Sequence, residues 1–136
     1  MMRIRILLVF AIVGLSSSSS IGQDSAQYHA CTSSANTQTE LNSCASDEAK
    51  RVDIELNNVY RKLLETLSDD HNAVTKTKAA QRAWVTYREA YIEAMYPDED
   101  KQAAYGTIYP MEVNLLRARL TREQITALQA LGSNKN

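Results

Sequence analysis

The residues able to do chemistry are few. Cys31 and Cys44 are the only cysteines, and His29 and His71 the only histidines. That leaves little material for a metal centre, and neither histidine has metal-ligand spacing. Serine is plentiful but none sits in a Gly-x-Ser-x-Gly turn, and no Gly-rich phosphate loop occurs. Glu89 and Glu93 lie one helical turn apart. A glycosidase needs two carboxylates across a sugar-sized cleft, whereas a same-face pair is a solvated helix surface. The sequence therefore reads as a non-enzyme without metal or cofactor. Asn57, Tyr60, Gln81, Trp84 and Arg88 fall on helical faces at spacings of three and four. They predict a polar layer inside a bundle, with Asn57 or Gln81 pairing with Arg88 or Tyr60; a binding pocket on the same residues is the alternative. Asp98, Glu99 and Asp100, followed by Tyr105 and Tyr109, form the best candidate partner-binding surface. Tyrosines bring apolar area with a polar tip, and an acidic trio steers a basic partner.

The chain that must position these groups has 136 residues, 44% apolar and 23% charged, with only four glycines and two prolines. This is one domain, and not a turn-rich all-β one. Residues 1–22 read as an export signal. A basic start with Arg3 and Arg5 precedes the apolar run Ile6–Leu15, which is too short to span a bilayer. A serine run follows, and small residues precede a cleavage point after Gly22. Residues 23–136 would then be a single mature domain, periplasmic or secreted, with no stable membrane anchor. The leader carries two bases and no acid, so the formal charge moves from −1 for the whole chain to −3 for the mature part. Nothing in that balance attracts nucleic acid. In an exported chain, Cys31 and Cys44 read as a structural disulfide; their separation is far from that of a Cys-x-x-Cys redox pair.

Periodicity gives helices. Gln23–Ala30 shows none and reads as a loose lead-in. Thr37-x-x-Glu40 is a capping box. Leu41, Ala45, Ala49, Val52, Leu56, Val59, Leu63 and Leu67 then recur three or four apart, as one face of a long helix requires. After a polar connection at Ser68–Asn72, a second helix spans about Ala73 to Met95, ended by Tyr96-Pro97. Asp98–Tyr109 reads as the longest unstructured stretch. Pro110 opens a third helix, with a break predicted near Leu120-Thr121 because Thr121-x-x-Gln124 resembles another capping box; Gly132 stops it. The expected fold is all-α, a small antiparallel bundle of three to four helices with one disulfide.

Assembled in order, these pieces resemble the LprI-type lysozyme inhibitor domain family. The resemblance rests on an early cysteine before Thr37-Gln-Thr-Glu-Leu-Asn-x-Cys-Ala45. It continues through Asp53-x-Glu-Leu-Asn57-x-x-Tyr60 and Ala80-Gln-Arg-Ala-Trp84-x-x-Tyr87-Arg-Glu89, and closes with a final helix rich in Leu and Arg. It implies an exported helical domain that inhibits a lysozyme-type peptidoglycan hydrolase by protein–protein binding. A periplasmic binding or immunity-type module for another effector or envelope protein is the alternative. The chain departs from many members in lacking a second cysteine pair. Tyr91 stands where the first of that pair is expected, and Gly106-Thr107 replaces a Gly-Gly-Ser turn.

Overall fold

The computed structural model describes residues 24–134; the proposed signal segment and its cleavage point lie outside them. The elements are α1 (Ala26–Ser34), α2 (Gln38–Thr66), α3 (His71–Met95), α4 (Lys101–Tyr105), a single 3₁₀ turn at Gly106–Ile108, and α5 (Tyr109–Ser133). No strand occurs among the described residues, so the all-α reading holds.

Helix α2 starts as its sequence dictates. Thr37 accepts from the Glu40 amide at 3.2 Å, and the Glu40 carboxylate accepts from Thr37 N at 3.0 Å. The predicted apolar stripe then lies inward. Ala49, Val52, Leu56 and Leu63 are buried against Ala118, Ile125 and Leu128 of α5, and Ala45 is buried with Tyr28 and Cys44 beside Met111 and Leu115. The small residues Ala45, Ala49 and Ala118 let the two helix axes come close. Leu63 Cδ1 would lie 3.5 Å from a Cβ placed on Gly132, so the C-terminal ends of α2 and α5 lie side by side. Helix α3 returns antiparallel alongside this pair. Asp70 caps it by accepting from Ala73 N at 2.9 Å. Ile92 packs with Val113, Leu116 and Leu120, and Trp84 reaches the α2–α5 core. Only Thr77, Gln81 and Ile92 of α3 are buried, and this helix leans on α5 more closely than on α2.

Three sequence expectations are corrected. The lead-in is helical from Ala26, because Ser25 is an N-cap whose side chain accepts from Tyr28 N at 3.1 Å, and Tyr28 is buried. The Asp98–Tyr109 stretch is folded into α4 and a 3₁₀ turn, with Asp100 accepting from Ala103 N at 2.9 Å as the cap. Helix α5 is unbroken through Leu120-Thr121. Thr121 is completely buried and its hydroxyl turns back to the Arg117 carbonyl at 2.8 Å, a mid-helix bond that a capping reading mistakes for a start.

The disulfide joins Cys31 in α1 to Cys44 in α2, with Cα atoms 5.7 Å apart, inside the usual range for a bridge. A second tie fixes the start of α1. The fully buried Glu48 carboxylate accepts from Ser25 N at 2.9 Å, Ser25 Oγ at 2.5 Å, Arg51 Nη2 at 2.5 Å, and Arg122 Nη2 of α5. Arg122 also reaches Asp24 at 3.3 Å. Sequence reasoning missed this cluster. The available signal was Glu48 itself, a charge one turn from both Cys44 and Val52 on the inward side of α2.

Candidate functional site

The acidic loop is built around three tyrosines. Tyr96 stands edge-on to Tyr105 and to Tyr109, each at 5.2 Å between ring centres. Tyr105 and Tyr109 stack at 5.7 Å. The geometry is the offset and edge-to-face packing that aromatic quadrupoles favour. Gly106 makes the turn between them at φ 70°, a left-handed conformation that costs a side-chain-bearing residue strain. Tyr105 Oη donates to Asp98 Oδ2 at 2.7 Å and accepts from Asp98 N at 3.2 Å. That carboxylate bond raises the Tyr105 pKa. Lys101 Nζ donates to Glu93 at 2.8 Å and to the Tyr96 carbonyl, closing the end of α3; the Glu93 bond raises the Lys101 pKa. Burial, then the nearby Glu112, raises Tyr96.

Asp98, Glu99 and Asp100 are exposed on the outer side of this knot, and Tyr105 and Tyr109 are half-buried within it. The five candidate residues are therefore neighbours in one folded loop. Two of the acids also have internal work: Asp98 holds Tyr105 and Asp100 caps α4. The packing of Tyr96, Tyr105 and Tyr109 together with Lys101 fastens the loop. Tyr91 packs against the cluster of Ile92, Val113, Leu116 and Leu120.

The other predicted set is also brought together, on the facing sides of α2 and α3, but with different partners. Arg88 Nη1 donates to Asp53 Oδ1 at 2.7 Å and to Thr121 Oγ at 2.9 Å, and its Nε to Glu89 at 2.9 Å. Its guanidinium lies over the Trp84 ring at 5.0 Å. Gln81 Oε1 accepts from Gln124 Nε2 at 2.9 Å. The expected bonds from Asn57 or Gln81 to Arg88 or Tyr60 do not form, because α5 supplies closer partners in Thr121 and Gln124. Asp53 lies within the Asp53–Tyr60 segment, yet pattern alone gave it no role. Burial works against the Glu89 charge, but Arg117 and Arg88 together hold its carboxyl below the usual range.

What these features define is a helical bundle stapled by one disulfide, whose acidic surface loop is held in shape by a tyrosine knot. The sequence model of the family described as "Lysozyme inhibitor LprI" matches residues 30–128. The chain belongs to that family, and the matched region spans α2, α3, α4 and nearly all of α5. A relative in Rhizobium meliloti (strain 1021), an uncharacterized protein, is 30% identical over 106 residues, covering 70% of this chain and 73% of its own. No solved structure matches the chain. Among the described residues no helix is long and apolar enough to cross a membrane, and no cluster of His, Cys, Asp and Glu is placed to hold a metal.

Proposed function

We propose that the protein is an exported inhibitor of a lysozyme-type peptidoglycan hydrolase, working in the periplasm or outside the cell by binding the enzyme. The observation that carries this reading is the family match over residues 30–128. The disulfide supports it, since such bonds persist in oxidising compartments. So does the charge, −3 once residues 1–22 are removed, which does not repel a basic enzyme.

The contact surface in this reading is the Tyr96–Tyr109 segment. Asp98, Glu99 and Asp100 guide a basic partner in, and Tyr105 and Tyr109 give area at the contact. The loop covers the sugar-binding cleft of the hydrolase and no bond is made or broken. The test is lysis of a cell-wall suspension by lysozymes of several structural classes, with and without excess oxidised protein, paired with direct binding. Dose-dependent protection is the expected result. Full lysis by every class, with the protein shown folded and bridged, refutes the proposal and turns the search to partners in the envelope fraction.

A further inference from the structure

Because α3 leans on α5, its middle stands off α2 and leaves a shallow groove of about 240 Å³. Trp84 and Tyr60 form its aromatic sides, and Asp53, Asn57, Gln81 and Arg88 its polar ones. A groove between packed helices that combines aromatic walls with several convergent polar groups has the make-up of a small-molecule site.

The bonding capacity left in it defines the ligand. Gln81 spends its oxygen on Gln124 but keeps both N–H donors. Asp53 spends Oδ1 on Arg88 and keeps Oδ2. The Asn57 amide, the Tyr60 hydroxyl and the Trp84 indole N–H have no partner among the described residues. The charge is already balanced, since Arg88 is paired with Asp53 and Glu89. An anion would find no uncompensated cation here. A neutral ring with many hydroxyls would find donors and an acceptor beside the partly buried Tyr60 and Trp84, the latter with the Arg88 guanidinium over its ring. The volume falls below the roughly 300 Å³ at which pockets begin to enclose drug-sized ligands, so one ring fits.

We propose that this groove binds a neutral pyranose sugar, either free or as the end of a glycan chain. The site is separate from the acidic loop, and its use does not depend on lysozyme inhibition.

Trp84 is the only tryptophan in the chain, so its emission reports on the groove directly. The full chain is titrated with glucose, with N-acetylglucosamine, and with a soluble tetramer of N-acetylglucosamine, each carried well above millimolar concentration. A saturable change with at least one of these is expected. Asn57→Ala and Tyr60→Phe, which remove groups that bond to nothing else in the fold, weaken it by about tenfold each, with unchanged thermal melting. Saturation by the tetramer alone identifies a chain end as the ligand, and saturation by a monosaccharide identifies a free sugar. The proposal is overturned if no sugar saturates the signal, or if both variants leave the saturation unchanged. A response to inorganic phosphate in place of any sugar overturns it as well.

Discussion

Glu48→Gln tests the tie that holds the start of α1 to both α2 and α5. The substitution keeps the side chain's size and removes its charge. Glu48 is fully buried, and its two oxygens accept from Ser25 N, Ser25 Oγ, Arg51 and Arg122. Glutamine keeps one acceptor oxygen and turns an NH₂ toward donors. Removing one partner of a buried ion pair costs about 3–5 kcal/mol. Arg122 still has Asp24 at 3.3 Å, and the Arg51 side chain is 37% exposed and free to turn to water. The lower end, about 3 kcal/mol, is therefore expected. For a domain of this length that lowers the melting temperature by about 12 °C. The pH dependence gives a second reading. Burial raises the Glu48 pKa, but the Ser25 bonds and the two arginines outweigh it and hold the carboxyl below the usual range. A group whose pKa is depressed in the fold contributes stability above its unfolded pKa and loses it as pH falls through the folded one. The gap between wild type and Glu48→Gln should thus be full at neutral pH and close in acid, below the ordinary carboxylate range. Thermal melts followed by circular dichroism across that range measure it. A loss under about 1 kcal/mol, the worth of an ordinary hydrogen bond, or a gap that does not change with pH, refutes the reasoning.

Replacing both Cys31 and Cys44 by serine should cost about 3 kcal/mol, the loop-closure value for a short ring, read as a lower denaturant midpoint. Unchanged stability would mean that Glu48 and the buried Tyr28 suffice to hold α1. Asp98→Asn with Glu99→Gln removes two loop charges while leaving the Asp100 cap of α4 intact. If the loop is the contact, association with a basic lysozyme slows and its salt dependence flattens. An unchanged on-rate removes the loop from the interface.

The long helices were legible because each carries its signal locally. Thr37 and Glu40 announce the start of α2, and the spacing from Leu41 to Leu67 shows which side is buried. The disulfide was legible by count. What was not legible depended on contacts distant in sequence. Ala26–Ser34 has no apolar face of its own; it is a helix because Ser25 meets Glu48, 23 residues away, and because Cys31 is bridged. Thr121 looks like a helix start until Arg88, 33 residues earlier, is seen to donate to it. The same holds for the candidate site. Asn57, Tyr60, Gln81, Trp84 and Arg88 line one groove between α2 and α3, yet Asn57 is exposed and the expected pairings do not form, since helical spacing shows which side chains share a face and is silent on what faces them. The acidic loop reads as unstructured in the sequence because much of its order comes from ring packing among three tyrosines, which leaves no periodic trace.

That packing bears on how a loop of this kind can bind. A flexible segment loses affinity to the entropy of being ordered, about 0.5–1.5 kcal/mol for each side chain immobilised. Here Tyr96, Tyr105 and Tyr109 fix one another, Lys101 holds the Tyr96 carbonyl, and Asp98 is held by Tyr105. The ordering is already complete in the free protein, without a second disulfide. Loosening the knot while keeping its charges should therefore weaken a partner through the loop's shape. Tyr105→Phe does this in the mildest way, since it keeps the ring and releases Asp98 alone.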